Sequence, residues 1–304
     1  MLVRRIAMIP VLAAGVAVCC YLLMFSLPGD PARLAAGPNA SEETVATVRA
    51  ALGLDRPLWQ QVGDYLWGLL HGDLGISTRS RQPVLGEITA VLGPTLTLAL
   101  VVEVAAVLVG VTVGTLAALH GGRWVSPALL AGSALSLCLP LFAIGLILQL
   151  VFSLYLDLLP PSGGGGLFST AIILPALTCV IPSAGFLVRF VRTAVEDHLA
   201  DDFVRTALAK GLTRRSVVVG HVLRSALTPI IAVVSTDLAR LLGGVALVEV
   251  VFARPGIGKY AFDALETRDL PALLGSLLVI SLLVLLVNTL ADAAYDLADR
   301  RSAG

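Results

Sequence analysis

The 304-residue chain is short of charge. Asp, Glu, Lys and Arg make up 14% of it, where a soluble domain carries roughly 25%. The charges also cancel, 21 basic against 21 acidic. No basic excess exists to neutralise phosphates, which excludes a nucleic-acid binder. With 57% hydrophobic residues, intrinsic disorder is excluded as well. Histidines are few and scattered (His71, His120, His198, His221), without a His-x-x-x-His pair, so no metal site is expected. The four cysteines (Cys19, Cys20, Cys138, Cys179) lie in apolar stretches and form no Cys-x-x-Cys, which makes them packing residues. A P-loop is also missing. Its Gly-x-x-x-x-Gly-Lys-Ser/Thr pattern lets backbone amides cradle phosphate. The single Gly-Lys here, Gly258-Lys259, is followed by Tyr260 and has Ala253 where the first glycine belongs. The chain is therefore expected not to hydrolyse ATP itself, and no cofactor is expected.

What it has is apolar length, with a mean hydropathy of +0.91. The fold class this predicts is an all-α integral membrane protein with about six transmembrane helices. Ile6 to Gly29 runs 24 residues without a charge, too long for a signal-peptide core of about 7–15 residues, and is taken as an uncleaved first span. Leu27-Pro28-Gly29-Asp30-Pro31 ends it. Residues 31–93 are polar. Ser41 is placed to cap a helix with Thr44 at its third position, Asp55-Arg56-Pro57 breaks that helix, and a second follows from Leu58 to about Leu70. Trp59, Tyr65 and Trp67 cluster there, as aromatics do at a membrane interface.

The second span is expected from Pro94 to Leu119, with Ala106, Gly110, Gly114 and Ala118 spaced by four on one face for close helix packing. The third lies within the uncharged run Val125–Leu156, about 48 Å as one helix and too long for a ~30 Å core, with Pro140 as a kink. The fourth is Ala171–Phe190, the fifth Ala226–Val251 and the last Ala272–Ala291. Six spans put both ends on one side. Arg4, Arg5, Arg123, Arg192, Arg205, Lys210, Arg214, Arg215, Arg224, Arg300 and Arg301 then share that side, against Arg254, Lys259 and Arg268 in the short outer loops. The positive-inside tendency makes it the cytoplasm. The chain divides into 1–93, the first span plus an extracytoplasmic helical segment, and 94–304, a five-helix core with a cytoplasmic loop at 191–225.

That loop is the most informative segment. Asp201 is placed as a cap, Asp202–Lys210 as a short helix, Gly211 as its stop and Thr213 as the cap of the next helix. Phe203 with Ala207 and Val204 with Leu208 are i,i+4 apolar pairs, a face suited to a docking partner.

Asp202-Phe203-Val204-Arg205-Thr206-Ala207-Leu208-Ala209-Lys210-Gly211 resembles the coupling loop of binding-protein-dependent ABC importer permeases, known by Glu-Ala-Ala-x-x-x-Gly. Arg205 stands for the Glu, as in the dipeptide/oligopeptide/nickel subfamily. Leu52-Gly53-Leu54-Asp55-Arg56-Pro57, Gly72-Asp73-Leu74-Gly75, Pro255-Gly256-Ile257-Gly258 and Arg268-Asp269-Leu270-Pro271 are similar to that subfamily's B-type subunit, in order and spacing. Leu208 and the missing proline after Asp299 depart from it.

The resemblance implies a type I ABC importer permease in a bacterial cytoplasmic (inner) membrane. It carries di- or oligopeptides, or alternatively nickel chelates or opines. Its implied partners are a second homologous permease, two ATP-binding subunits and an extracytoplasmic solute-binding protein, besides membrane lipid. Phe203, Arg205, Thr206, Ala207, Lys210 and Gly211 are the expected ATPase-coupling residues. Charges inside spans are the candidates for the path. Asp237 and Arg240, three apart, form either a mutual ion pair or contacts for the charged ends of a peptide. Glu103 and Arg189 either pair or face a cavity. Glu249 either lines an outer gate or caps a loop. An ion-driven secondary transporter is the remote alternative; it favours symmetry-related broken helices, and no internal repeat is evident.

Overall fold

The computed structural model describes residues 11, 14–19, 21–22, 30–37, 40–51, 53–119, 125–163 and 169–302. Arg4, Arg5, most of the expected first span at 6–29, Cys20, Leu52, His120, Arg123 and the glycines at 164–166 lie outside the described residues. So do the side chains of 292 and 294–302, which include Asp299, Arg300 and Arg301. Among the described residues every regular element is a helix, and the one bridge is an isolated antiparallel pair, Ile76 with Pro83.

Among the described residues, four helical stretches are long and apolar enough to cross a membrane: Val84–Leu119, Thr170–Leu199, Arg214–Val251 and Leu270–Ala291. A fifth candidate is broken, with Pro127–Cys138 and Leu141–Tyr155 meeting at 103°. The break falls at Pro140, where the sequence places a kink. Proline has no N–H to donate and pushes the preceding residue out of helical conformation. Pro140 itself is extended (φ −60°, ψ 137°) and caps the helix Leu141–Leu148.

Three boundaries differ from expectation. The second span starts at Val84, with Pro94 inside the helix, because Val84 and Ile88 are buried and hold the extra turns down. The fourth continues past Phe190 to Leu199, where Val191, Ala194 and Val195 are buried. The last belongs to a helix that runs Leu270–Ser302.

The chain forms two compact units, residues 1–95 with 255–285, and residues 96–254 with 286–304. In the first, Asp30 accepts the Ala32 amide at the start of Pro31–Ala36. Ser41 caps Glu42–Ala51 as expected, accepting the Thr44 amide at 3.2 Å. An Arg49–Asp30 ion pair ties these two helices. The helix Leu58–Leu70 follows Pro57. It buries Gln61, while Tyr65, Leu66 and Leu69 pack onto a core containing Val84, Ile88, Ile257 and Leu278. Trp59 and Trp67 stay exposed.

Asp269 is the polar anchor of this unit. Its buried carboxylate accepts the Ser77 hydroxyl, the amides of Thr78 (3.2 Å) and Arg79 (3.3 Å), and the Ala272 amide (3.3 Å) of the helix it caps. The Tyr260 hydroxyl donates to Glu87 at 2.7 Å. Burial, that hydrogen bond and the charges of Glu87 and Asp269 all push the phenol's pKa above its ordinary value.

In the second unit the helix Ile173–Leu199 is central. The small-residue face of Val84–Leu119 meets it closely. A Cβ at Gly110 would lie 2.5 Å from Leu187 Cβ, and one at Gly114 would lie 2.9 Å from both Val188 O and Val191 Cβ. On another side, a Cβ at Gly185 would meet the Ser133 carbonyl at 3.0 Å, so the helix Val125–Cys138 approaches just as closely. Gly114→Val should therefore cost about 1–3 kcal/mol by overpacking. Gly132→Ala, with open space around it, should cost nothing of the kind. Thermal unfolding of the two purified variants in detergent checks this contrast.

Candidate functional site

The helix Asp202–Ala209 lies in the second unit and ends as the sequence predicts. Gly211 has φ +84°, a conformation glycine adopts without steric cost. The reversal is closed by the Gly211 amide on Leu208 O (3.0 Å) and the Leu212 amide on Ala207 O (3.3 Å). Thr213 then caps Arg214–Val217, accepting the Ser216 amide at 3.3 Å. Asp201 occupies the cap position of the first helix, but its side chain makes no capping bond; its backbone carbonyl accepts the Val204 amide instead.

The apolar face divides differently from the expected i,i+4 pairs. Val204 and Ala207, one turn apart, are buried in a cluster with Val191, Ala194, Val195, Val217, Val218 and Val222. Phe203 and Leu208 are exposed, as are Leu212, Arg205, Thr206, Lys210 and Gly211. The cause is the geometry of a short helix lying on a surface. Residues three apart share the contact line, and their i,i+4 partners fall to its two sides. The helix is thus seated by two small side chains and presents an aromatic, an aliphatic and two basic residues outward.

The charges inside the spans fall into two groups. Asp237 is fully buried, and its Oδ1 accepts from Arg240 Nη2 at 2.6 Å and Nε at 3.2 Å. Arg240 keeps 51% of its side chain exposed. Its Nη2 also reaches Ser183 Oγ at 3.4 Å, and its guanidinium lies 5.6 Å from the centroid of the Phe186 ring. Asp237 and Arg240 therefore do form a mutual ion pair. Glu103 is 7% exposed, and neither of its carboxylate oxygens has a hydrogen-bond partner. It is within electrostatic reach of Asp237 and Arg240. Arg189 is exposed and makes no ion pair with it.

Glu249 belongs to the second group, twelve residues and about 18 Å along the helix from Asp237. It is fully buried, its carbonyl accepts the Arg254 amide at 2.9 Å, and its charge acts on the Arg254 guanidinium. Arg254 is itself almost entirely buried. Burial lowers its pKa, and Glu249 opposes that shift. Counted from sequence only as an outer-loop charge, Arg254 is thus a structural partner. Its position in the Arg254-Pro255-Gly256 turn, five residues after the one acid at the end of the span, was the signal.

Long apolar helices, a short surface helix turned back on glycine and buried charge within the spans fit a membrane transport subunit. The comparisons with known proteins agree. Residues 110–304 match the family described as binding-protein-dependent transport system inner membrane component, and residues 1–99 match its N-terminal counterpart. The chain belongs to this family, the permeases of ABC importers. It is 39% identical over 292 residues to the glutathione transport system permease protein GsiC of Salmonella choleraesuis, covering 96% of this chain and 94% of that one. It is 38% identical over the same length to GsiC of Escherichia coli K12. An inward-facing structure of the MetNI methionine ABC transporter superposes with a TM-score of 0.57 at 17% identity, over 69% of this chain and 95% of that one. A second crystal form gives 0.60 at 16%. At that identity the likeness is one of fold, the type I ABC permease.

Removing Arg254 strands a buried carboxylate. Arg254→Met should cost about 3–5 kcal/mol, and adding Glu249→Gln to it should restore part of the loss. A double-mutant cycle on thermal unfolding tests the coupling.

Proposed function

We propose that this chain is one of two permease subunits of an ATP-driven importer for small peptides. The observation that carries the reading is the near full-length likeness to permeases named for the transport of glutathione, a tripeptide. The six-span topology is part of the proposal, with the first span at 6–29, residues 31–93 outside and both termini in the cytoplasm. A second, homologous permease completes the path, two ATP-binding subunits supply hydrolysis, and a solute-binding protein delivers cargo from outside. The chain itself catalyses nothing.

In this reading the Asp202–Ala209 helix meets an ATPase subunit. Phe203, Arg205, Thr206 and Lys210 face outward to make the contact. Ala207, buried beside Val204, seats the helix on its own protein, so force applied outside is passed inward rather than lost in sliding. Gly211 sets the angle between this helix and the one leading into Leu223–Val251. Asp237, Arg240, Glu103 and Glu249 lie along the path or support it.

The test is uptake of peptides and glutathione by the reconstituted complex with its binding protein and ATP. Co-purification of two ATPase chains and a second permease is expected, and transport by this chain without an ATPase would overturn the reading. Single cysteines at Ser41 and Lys210 should label from opposite sides of the membrane. Gly211→Val tests the coupling turn. No atom lies within 4 Å of the added Cβ, so its effect is backbone strain of about 1–2 kcal/mol. The complex should assemble and hydrolyse ATP while uptake falls by about tenfold. Unchanged uptake would remove Gly211 from the mechanism.

A further inference from the structure

Three helices of the second unit bring polar side chains next to one small apolar cluster. Ala106, Ala184 and Leu187 form a small apolar cluster with Val107, Phe186, Val233 and Val234. One turn from that cluster stand Glu103 on the first helix, Ser183 on the second and Asp237 on the third. Arg240 bridges Asp237 and Ser183 across the Phe186 ring. The acids outnumber the bases, because the one guanidinium is bound to Asp237 and Glu103 makes no ion pair or hydrogen bond of its own. Three buried carboxylate oxygens have no hydrogen-bond partner: Glu103 Oε1, Glu103 Oε2 and Asp237 Oδ2. An unpaired buried carboxylate costs several kcal/mol, so such a site persists where something else supplies the missing donors.

The donor set that fits is a primary ammonium, which has one positive charge and three N–H groups to offer acceptors that lack a donor. A divalent metal fits less well, because a guanidinium already occupies one side and only two carboxylates are at hand. We propose that Glu103 and Asp237, framed by Arg240, Ser183 and Phe186, form a receptor for a primary ammonium, and that in this transporter it takes the free amino terminus of the peptide cargo. The identity of the cargo rests on the peptide-permease reading above. The oxygens are closed off in this conformation, and Arg240 is the member with an open face. Cargo enters past Arg240, whose guanidinium is held by Asp237 through Nε and Nη2.

The experiment uses the purified complex of both permeases and both ATPase subunits without nucleotide or binding protein, so that only the membrane site selects. Trialanine and N-acetyl-trialanine are titrated against the wild type, Glu103→Gln and Glu103→Asp. The wild type should prefer the free amine by about tenfold. Glu103→Gln, which keeps the shape and removes the charge, should abolish the preference, and Glu103→Asp should keep part of it. Co-elution of all subunits verifies assembly. No detectable trialanine binding to the wild type, equal binding of the two peptides, or a preference that survives Glu103→Gln overturns the proposal. The last result is also what a Glu103 that merely holds a proton would give. ATP-driven trialanine uptake by the wild type with its binding protein is measured in parallel. If uptake fails, the peptide reading falls with the inference; if it succeeds while Glu103→Gln keeps the preference, the ammonium site alone falls.

Discussion

Helices in an apolar solvent gain little from hiding apolar side chains from one another, so what holds them is closeness. The contact on which the second unit depends is the approach of Gly110 and Gly114 to Leu187, Val188 and Val191, near enough that a single methyl group would not fit. Gly185 does the same for the helix Val125–Cys138. With glycine at both of these crossings, Ile173–Leu199 is a rod gripped from two sides. Dispersion forces fall steeply with any gap, which leaves this rod little freedom to shift without taking its neighbours along.

Two features of the proposed mechanism sit on that rod. Near its C-terminal end, Val191, Ala194 and Val195 receive Val204 and Ala207 of the helix proposed to meet the ATPase. Near its middle, Ser183 and Phe186 touch Arg240. Twelve residues separate Ser183 from Val195, about 18 Å of helix. In the proposed mechanism, displacement at one end is delivered to the charge cluster through this helix. The unwound steps lie elsewhere, at Pro140 and in the π turns Gln149–Tyr155 and Val218–Val222. Hydrogen bonding loosens there, and those are the places where such a bundle bends.

Much of this was legible in the sequence. Glycines and alanines spaced by four announced the close crossing, Pro140 announced the break, and Ser41, Gly211 and Thr213 announced their caps. These signals are local, since each residue's own stereochemistry does the work. What escaped were properties that need a third dimension. The register of the Asp202–Ala209 helix against its support decides that Val204 and Ala207 turn inward, and no pattern within eight residues carries that information. Helix ends were missed where tertiary contact extends them. Val84 and Ile88 are held by packing ahead of Pro94, and Val191 to Val195 are held beneath the surface helix. Arg254 looked like a loop charge because its burial depends on Glu249 and the turn around it.

The buried acids separate by how completely their oxygens are satisfied. Asp269 is saturated by a hydroxyl and three amides, which fixes a loop and a helix start in one geometry. Glu249 has a guanidinium five residues away in the same turn. The first arrangement is closed, and a closed arrangement stabilises one conformation. Glu103 and the second oxygen of Asp237 are left open at the meeting of three helices. Selection for stability alone removes such a defect readily, because Gln or Met in place of Glu103 would eliminate the buried charge. A site that binds and releases needs the opposite property: its polar groups must be incompletely satisfied when empty, so that occupancy changes the energy of the state. By that criterion the unbalanced cluster, rather than the saturated acid, has the property that the proposed receptor requires.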